Sequence, residues 1–494
     1  MKQRRLHFMG IGGQGISAVA QMALQAGDIV TGCDRQRSAT VRQLEEVGIE
    51  IQQGHSPAHL DAVDMLVISP AITALNPHNE ELVAAHERNL PIITWQELLS
   101  EYMREKCVLS VSGVHGKGST TAMLSLILVD AGFDPTCEIG AVVPRFGANY
   151  RLGQSPYFVN EADEFNHNFW HYHPRVALVK ALEYEHPEFF ADYDAFLAAF
   201  EHFIRGMDMQ GDWPIPPTLV LNADSAGCLD LYARLQDWPG RLVTYSVEGL
   251  HPAGLPVLEA AETYTASAIQ LAGRTSFRVA GRVDTALNGR EIHLQLPGIH
   301  NIENALAALT VARLLGTDPD ALVRTLEGFT GIRRRLEIRH QGPLNLKTHV
   351  VDDVMLMDDY AHHPTAISMT LDALRQRYPE RRLVAVYQPH MYSRTKTFFA
   401  QFVEAFDKAD IAIIAEIFPA REQDTGLVHA RDLVRALAQR EHFAAAGGQI
   451  FYGGETLQET VQLLRDQVRS GDLVVMMGAG DVYTVTELLL QGRS

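Results

Sequence analysis

At 494 residues the chain exceeds what one hydrophobic core covers, so two to four domains are expected and a single-domain reading is excluded. Its 60 acidic residues against 42 basic ones give a formal charge of -18, and with no Lys/Arg-rich run the footprint of a nucleic-acid binder is excluded, leaving small molecules as partners. Cys33, Cys107, Cys137 and Cys228 lack C-x-x-C spacing, Met1-Lys2-Gln3-Arg4-Arg5 meets glycines before a signal-peptide apolar region forms, and no apolar stretch reaches membrane-spanning length, which predicts a soluble, reduced, cytoplasmic protein.

In chain order, the first hundred residues alternate strand and helix signals. Leu6–Met9 reads as a strand, 17–26 as a helix, Ile29–Cys33 as a strand and 40–47 as a helix, followed by the apolar run 64–69 and a helix near 79–87. That pattern predicts a small doubly wound parallel sheet ending near residue 105. A fresh buried strand, 107–111, then leads through a glycine-lysine loop into a helical run over 120–131. Strands fit 157–160, 176–179 and 219–222, the last after the link Pro214-Ile215-Pro216-Pro217, and a helix over 302–315 closes this second unit. From Gly331 the alternation restarts, with strands at 383–387, 411–414 and 473–477. The expected fold class is α/β with three domains, 1–105, 106–330 and 331–494: Rossmann-like, a central phosphate-loop ATPase type with a mostly parallel sheet, and a second Rossmann-like unit.

Two glycine loops carry the chemistry. Gly10-Ile11-Gly12-Gly13-Gln14-Gly15 follows a strand, and Asp34 lies nineteen residues beyond Gly15 at the end of the next strand, which fulfils the nominal dinucleotide fingerprint. Glycines there permit a tight turn and close approach of a diphosphate, so NAD, another nucleotide diphosphate, or a turn with no ligand all satisfy the pattern. The second loop, Gly113-Val114-His115-Gly116-Lys117-Gly118-Ser119, is shorter than a Walker loop but keeps flexible backbone, a lysine for phosphate charge and hydroxyls at the start of a helix. Magnesium bound with a nucleoside triphosphate takes further oxygen ligands, and these are expected at neighbouring strand ends. Glu161-Ala162-Asp163-Glu164 and Glu183-Tyr184-Glu185-His186 stand at such ends.

With the further motifs Gly298-Ile299-His300-Asn301-Ile302-Glu303-Asn304, Arg334-Arg335-Leu336-Glu337, Asp358-Asp359-Tyr360-Ala361-His362-His363-Pro364 and Gln388-Pro389-His390-Met391-Tyr392-Ser393-Arg394-Thr395, the ordered set resembles the Mur ligase family through nearly the whole chain. The resemblance implies an ATP-dependent ligase of peptidoglycan precursor synthesis. Its substrates would be ATP, UDP-N-acetylmuramate and L-alanine or a similar amino acid, with Mg2+ as cofactor, in a monomer or homodimer. It implies that Gly10, Gly12, Gly13, Gln14, Gly15 and Asp34 hold the UDP sugar. Gly113, Val114, His115, Gly116, Lys117, Gly118, Ser119, Asn301, Arg335 and Asp359 would bind ATP, and Ser119, Glu161 and His186 the metal. His363, His390 and Arg394 would face the amino-acid end, and Lys117, His186 and Arg394 would carry the catalysis. Alternatives are a relative that adds another amino acid or a murein peptide, and a non-catalytic nucleotide-binding regulator.

The chain departs from the family pattern at five places, one being that no lysine occurs between Lys180 and Lys347 to stand for the carbamylated lysine of several relatives. Gly118 stands where the family's alanine-adding members usually have threonine, Met391 where an arginine is typical, Ala181 where asparagine is expected and Glu185 where aspartate is expected.

Overall fold

The computed structural model describes residues 3–491 except 71, 73–75, 252–259, 261, 347–348, 421, 425, 441–442 and 444–446. Strands β1 (Arg5–Met9), β2 (Ile29–Asp34), β3 (Glu50–Gln53), β4 (Met65–Ile68) and β5 (Ile92–Thr94) form an all-parallel sheet in the order β3-β2-β1-β4-β5. The order reverses beside β1, and in such sheets the crevice outside the strands' carboxyl ends at this switch point is where ligands bind. The first glycine loop leaves β1 there. Its helix, Gln14–Gln25, begins three residues before the apolar periodicity predicts, because Gln14 and Gly15 already have helical backbone without adding to the apolar stripe.

Ten strands make the central sheet: β6 (Cys107–Ser112), β7 (Thr136–Val143), β8 (Ala148–Arg151), β9 (Tyr157–Glu161), β10 (Val176–Val179), β11 (Thr218–Asn222), β12 (Arg241–Val247), β13 (Glu262–Gln270), β14 (Thr275–Gly281) and β15 (Glu291–Leu294). Their order is β15-β14-β13-β12-β11-β10-β6-β9-β7-β8. The pairings β7·β8, β13·β14 and β14·β15 are antiparallel and the others parallel. Every residue of β6 is buried, as expected of a parallel strand covered on both faces. The helices Lys117–Asp130 and Ile299–Leu314 are buried nearly all round and seal one face.

The third sheet contains β16 (Glu337–Asn345), β17 (Val350–Asp359), β18 (Arg382–Tyr387), β19 (Ile411–Ile414), β20 (Gln449–Tyr452) and β21 (Asp472–Met477), ordered β16-β17-β21-β18-β19-β20. Only β16·β17 is antiparallel. One buried apolar cluster runs from Leu6, Phe8 and Val19 to Phe158, Phe169 and Phe196, so the first sheet and the central sheet share a core. The clusters on the two faces of the third sheet are separate from it. Among the described residues no helix is long and apolar enough to cross a membrane.

Candidate active site

A cavity of about 660 Å³ lies where the three sheets meet, within the range usual for small-molecule sites. Its wall includes Gln14 from the first unit, Lys117, Glu161 and Asn301 from the second, and His363 and Arg394 from the third.

The lysine loop is shaped by its glycines. Gly113 has φ +117 and a Cβ there would stand 3.0 Å from the Lys180 nitrogen and the Ala181 carbonyl. Gly116 has φ +76, and a Cβ would fall 2.2 Å from Asn304 Oδ1. No side chain caps the helix that begins at Lys117, so its first-turn N–H groups are free to meet an anion. The predicted helix start at Thr120 therefore moves back to the lysine itself. Lys117 Nζ donates to Glu164 Oε2 at 2.8 Å and lies 3.6 Å from Asp163 Oδ1. Burial opposes its charge, but Glu164, Asp163 and Glu161 outweigh burial and push its pKa up.

Three carboxylates, Glu161, Asp163 and Glu164, crowd this ammonium, and a fourth, Glu138, repels two of them, Glu161 and Asp163. Burial, then mutual repulsion, pushes the carboxyl of Glu138 up, and burial does the same for Glu161 and Glu164 against the pull of Lys117. A divalent cation would relieve that repulsion, so the donor set fits magnesium. Asp163, Glu164 and His186 bring ligand atoms within 4.8 Å of one another. His186, held in the left-handed region at φ +56, pairs through Nδ1 with Glu188 Oε1 at 3.1 Å. Glu161 instead accepts from the Gly140 N–H at 3.1 Å and lies 3.1 Å from where a Cβ would stand at Gly118. The missing side chain at position 118 is thus matched by a glutamate carboxylate leaning into its space. Ser119, the next hydroxyl, is buried in the same wall.

Behind the loop, the sequence reading missed Lys180. Its Nζ donates to Thr120 Oγ1 at 3.1 Å and to Asn304 Oδ1, and burial pushes its pKa down to about 8. The signal was present: a lysine directly after the apolar strand Val176–Val179, at the strand end where ligands gather. Asn301 donates to the Pro297 carbonyl and accepts from Asn304, while burial, then Lys180 and Arg335, push the His300 imidazole down to about 4.

The third unit closes the cavity with charge. Arg394 pairs with Glu185, both almost fully buried, and lies 3.3 Å from His390 Nδ1. His363 bridges two acids, 3.3 Å from Glu183 through Nδ1 and 3.7 Å from Glu185 through Nε2. Glu183 also accepts from His115 and from Thr365 Oγ1. Met391, at φ +69 and 1% exposed, puts an apolar wall beside Arg394. Asp359 is engaged within the protein, accepting from the N–H groups of Leu336 and Ala361 at 2.8 Å each. Arg335 stacks on Tyr360, 4.9 Å from the ring centre, and shares the cavity wall with Asp359.

The first loop is closed on itself. Gly10 and Ile11 donate to the Cys33 carbonyl, and Asp34 Oδ2 accepts from the Gly12 N–H at 2.9 Å. A Cβ on Gly15 would fall 2.6 Å from the Trp95 ring. Of this loop only Gln14 lines the cavity; its carbonyl accepts from Asn149 of the central unit at 2.8 Å, a link no local pattern foretells.

Three family models match in register with these sheets: "Mur ligase family, catalytic domain" over residues 5–107, "Mur ligase middle domain" over 111–312 and "Mur ligase, glutamate ligase domain" over 342–480. The chain is 35% identical over 494 residues to the UDP-N-acetylmuramate–L-alanine ligase of Desulforapulum autotrophicum, covering 99% of each chain. It is also 35% identical to the enzyme of the same name from Methylococcus capsulatus, over 99% of this chain and 96% of the other. Among solved structures it resembles the UDP-N-acetylmuramate-alanine ligase of Thermotoga maritima, with a TM-score of 0.77, 24% identity and 99% of both chains covered, a likeness of fold. A murein peptide ligase from Psychrobacter arcticus follows at TM-score 0.70 and 25% identity, over 99% of this chain and 98% of that one. With its three matched segments, its cavity between three α/β sheets and relatives aligned end to end, the chain belongs to the Mur ligase family.

Proposed function

We propose that this protein is an ATP-dependent ligase that joins the lactyl carboxylate of UDP-N-acetylmuramate to L-alanine. The observation that carries the reading is Lys117, at the open start of its helix, facing three carboxylates in a cavity walled by all three units. The names of the full-length relatives support the substrates. Residues 1–105 would seat the UDP sugar, 106–330 ATP, and 331–494 the amino acid, in a cytoplasmic monomer or homodimer.

A carboxylate is a poor electrophile, so it first attacks the γ-phosphorus of ATP; ADP leaves and an acyl phosphate forms. The amine of the amino acid then adds to the acyl carbon, and phosphate departs from the tetrahedral intermediate with loss of a proton. Phosphoryl transfer of this kind depends on positioning and charge neutralisation. Lys117 and the first-turn amides supply these to the phosphates, and Arg335 approaches from the facing wall. Magnesium, held by Asp163, Glu164 and His186 or by Ser119 and Glu161, would offset phosphate charge. Arg394, His390 and His363 would orient the acceptor, and closure by the third unit would keep water from the acyl phosphate.

An acceptor panel with ATP, magnesium and UDP-N-acetylmuramate, read by ADP formation and product mass, tests the reading. Phosphate release is expected only with every substrate present, and release that ignores the UDP sugar would overturn it. The likeness to the murein peptide ligase of Psychrobacter arcticus favours one second reading, a murein peptide as acceptor; the panel therefore includes such peptides. Binding of both nucleotides without turnover of any acceptor would instead indicate a regulator.

A further inference from the structure

We propose that the first domain contains a second metal site, for a zinc-class divalent cation, made by His7, Cys33, His59 and Glu81. The four come from separate elements: the middle of β1, the end of β2, the short turn Pro57–Leu60 and the first turn of the helix Glu80–Glu87. Their ligand atoms all lie within 4.8 Å of one another. His7, Cys33 and Glu81 are fully buried.

The polar atoms at the centre lack hydrogen bonds. His7 Nε2 and Glu81 Oε1 form an ion-pair contact at 2.9 Å, and among the described residues neither atom has an aligned hydrogen bond. His59 Nδ1, 3.5 Å from the same oxygen, is also unsatisfied. Three buried polar atoms gathered at one point without aligned hydrogen bonds are costly unless a shared partner satisfies them, and a cation bound by all three would do so with the donors spreading slightly. The surroundings supply an outer shell. His7 Nδ1 lies 2.8 Å from Thr31 Oγ1, so an N–H donated there leaves the Nε2 lone pair facing inward. Ser56 N–H donates to Glu81 Oε2, and His55 Nδ1 stands 3.3 Å from Cys33 Sγ and 3.4 Å from Glu81 Oε2.

Two imidazoles, a thiol and a carboxylate are a zinc-type donor set, and bonds of about 2.0–2.3 Å in a tetrahedron set donors roughly 3.3–3.8 Å apart. Magnesium, which prefers oxygen ligands, is disfavoured. Cys33 hydrogen bonds to Glu81 as a thiol in the absence of metal, and binding would release that proton to solvent. The site lies directly behind the first glycine loop, because the Cys33 carbonyl accepts from Gly10 and Ile11 and the adjacent Asp34 caps Gly12. A cation here would pin the loop from below.

The test uses the full chain, stripped with a chelator and titrated with cobalt(II). About one equivalent is expected to give a thiolate-to-cobalt charge-transfer band in the near ultraviolet, displaced by zinc. Cys33→Ser should abolish the band, and His59→Ala should weaken binding at least about tenfold. The other two histidine-carboxylate clusters contain no cysteine and cannot produce that band. Should Cys33→Ser fail to fold, His59→Ala, at the edge of the cluster, decides the matter alone. A folded wild-type chain without the band, a band that survives Cys33→Ser, or a His59→Ala variant that binds as tightly as wild type overturns the proposal. The readout is independent of the ligase reading, because no substrate enters it.

Discussion

At the scale of single residues, the site depends on groups with no room to vary. Gly116 combines a left-handed φ with a position where a Cβ would fall 2.2 Å from Asn304 Oδ1. Gly116→Ala is therefore expected to lose roughly 1–2 kcal/mol from backbone strain alone, with a further loss from displacing Asn304, and to impair ATP turnover. Chemical denaturation and steady-state kinetics check both. Lys117→Ala removes the ammonium that faces Glu161, Asp163 and Glu164, and kcat should fall on the order of a hundredfold, about 3 kcal/mol of transition-state stabilisation. A near-normal rate would refute that role. Asp34→Ala, which frees the Gly12 N–H, should raise the KM for the UDP sugar while leaving that for ATP unchanged.

At the scale of elements, legibility followed burial. The parallel strands β6, β10, β11, β19 and β21, buried throughout, and β1 and β18, buried beyond their first residue, show as apolar runs because both faces are covered. Strands such as β13, whose buried and partly exposed residues alternate, and the short half-exposed β3 and β5 carry no such run and escaped notice. Strand ends were legible where chemistry came as contiguous motifs, as in Glu161–Glu164, and not where one residue stood alone, as with Lys180. That lysine makes a prediction of its own. Burial sets its folded pKa at about 8 against an ordinary 10.5, so between those values the unfolded chain binds more protons and stability rises with pH. Compared with Lys180→Met, the wild type should carry a constant penalty below pH 8 and recover it, on the order of 3 kcal/mol, by pH 10.5. Denaturation at a series of pH values reads the difference, and parallel curves for the two proteins would refute it.

For the whole molecule, the third unit meets the second through ion pairs that no local motif announces: Arg394 and Glu185 are 209 residues apart. The individual members were legible, but their pairing was not, because it exists only after three sheets have come together. The first two units share an apolar core, whereas the ion pairs are directional and sensitive to charge, which makes this junction the expected hinge. Although burial acts against its charge, Arg394 and then His363 hold the Glu185 carboxyl well below its ordinary 4.5. That stabilisation is fully present above about pH 4.5 and fades as the pH falls, so acid should undock the third unit. Glu185→Gln leaves Arg394 buried and unpaired and should cost about 3 kcal/mol of docking. Glu183→Gln acts on the same histidine from its other nitrogen, so the two effects should not add: with His363 already released by one change, the second has less to remove. In the double variant, X-ray scattering should report a larger radius of gyration, and ADP formation should outrun amide product as water reaches the acyl phosphate. Strict coupling of ADP to product in an undocked double variant would show that the third unit's docking is not what excludes water.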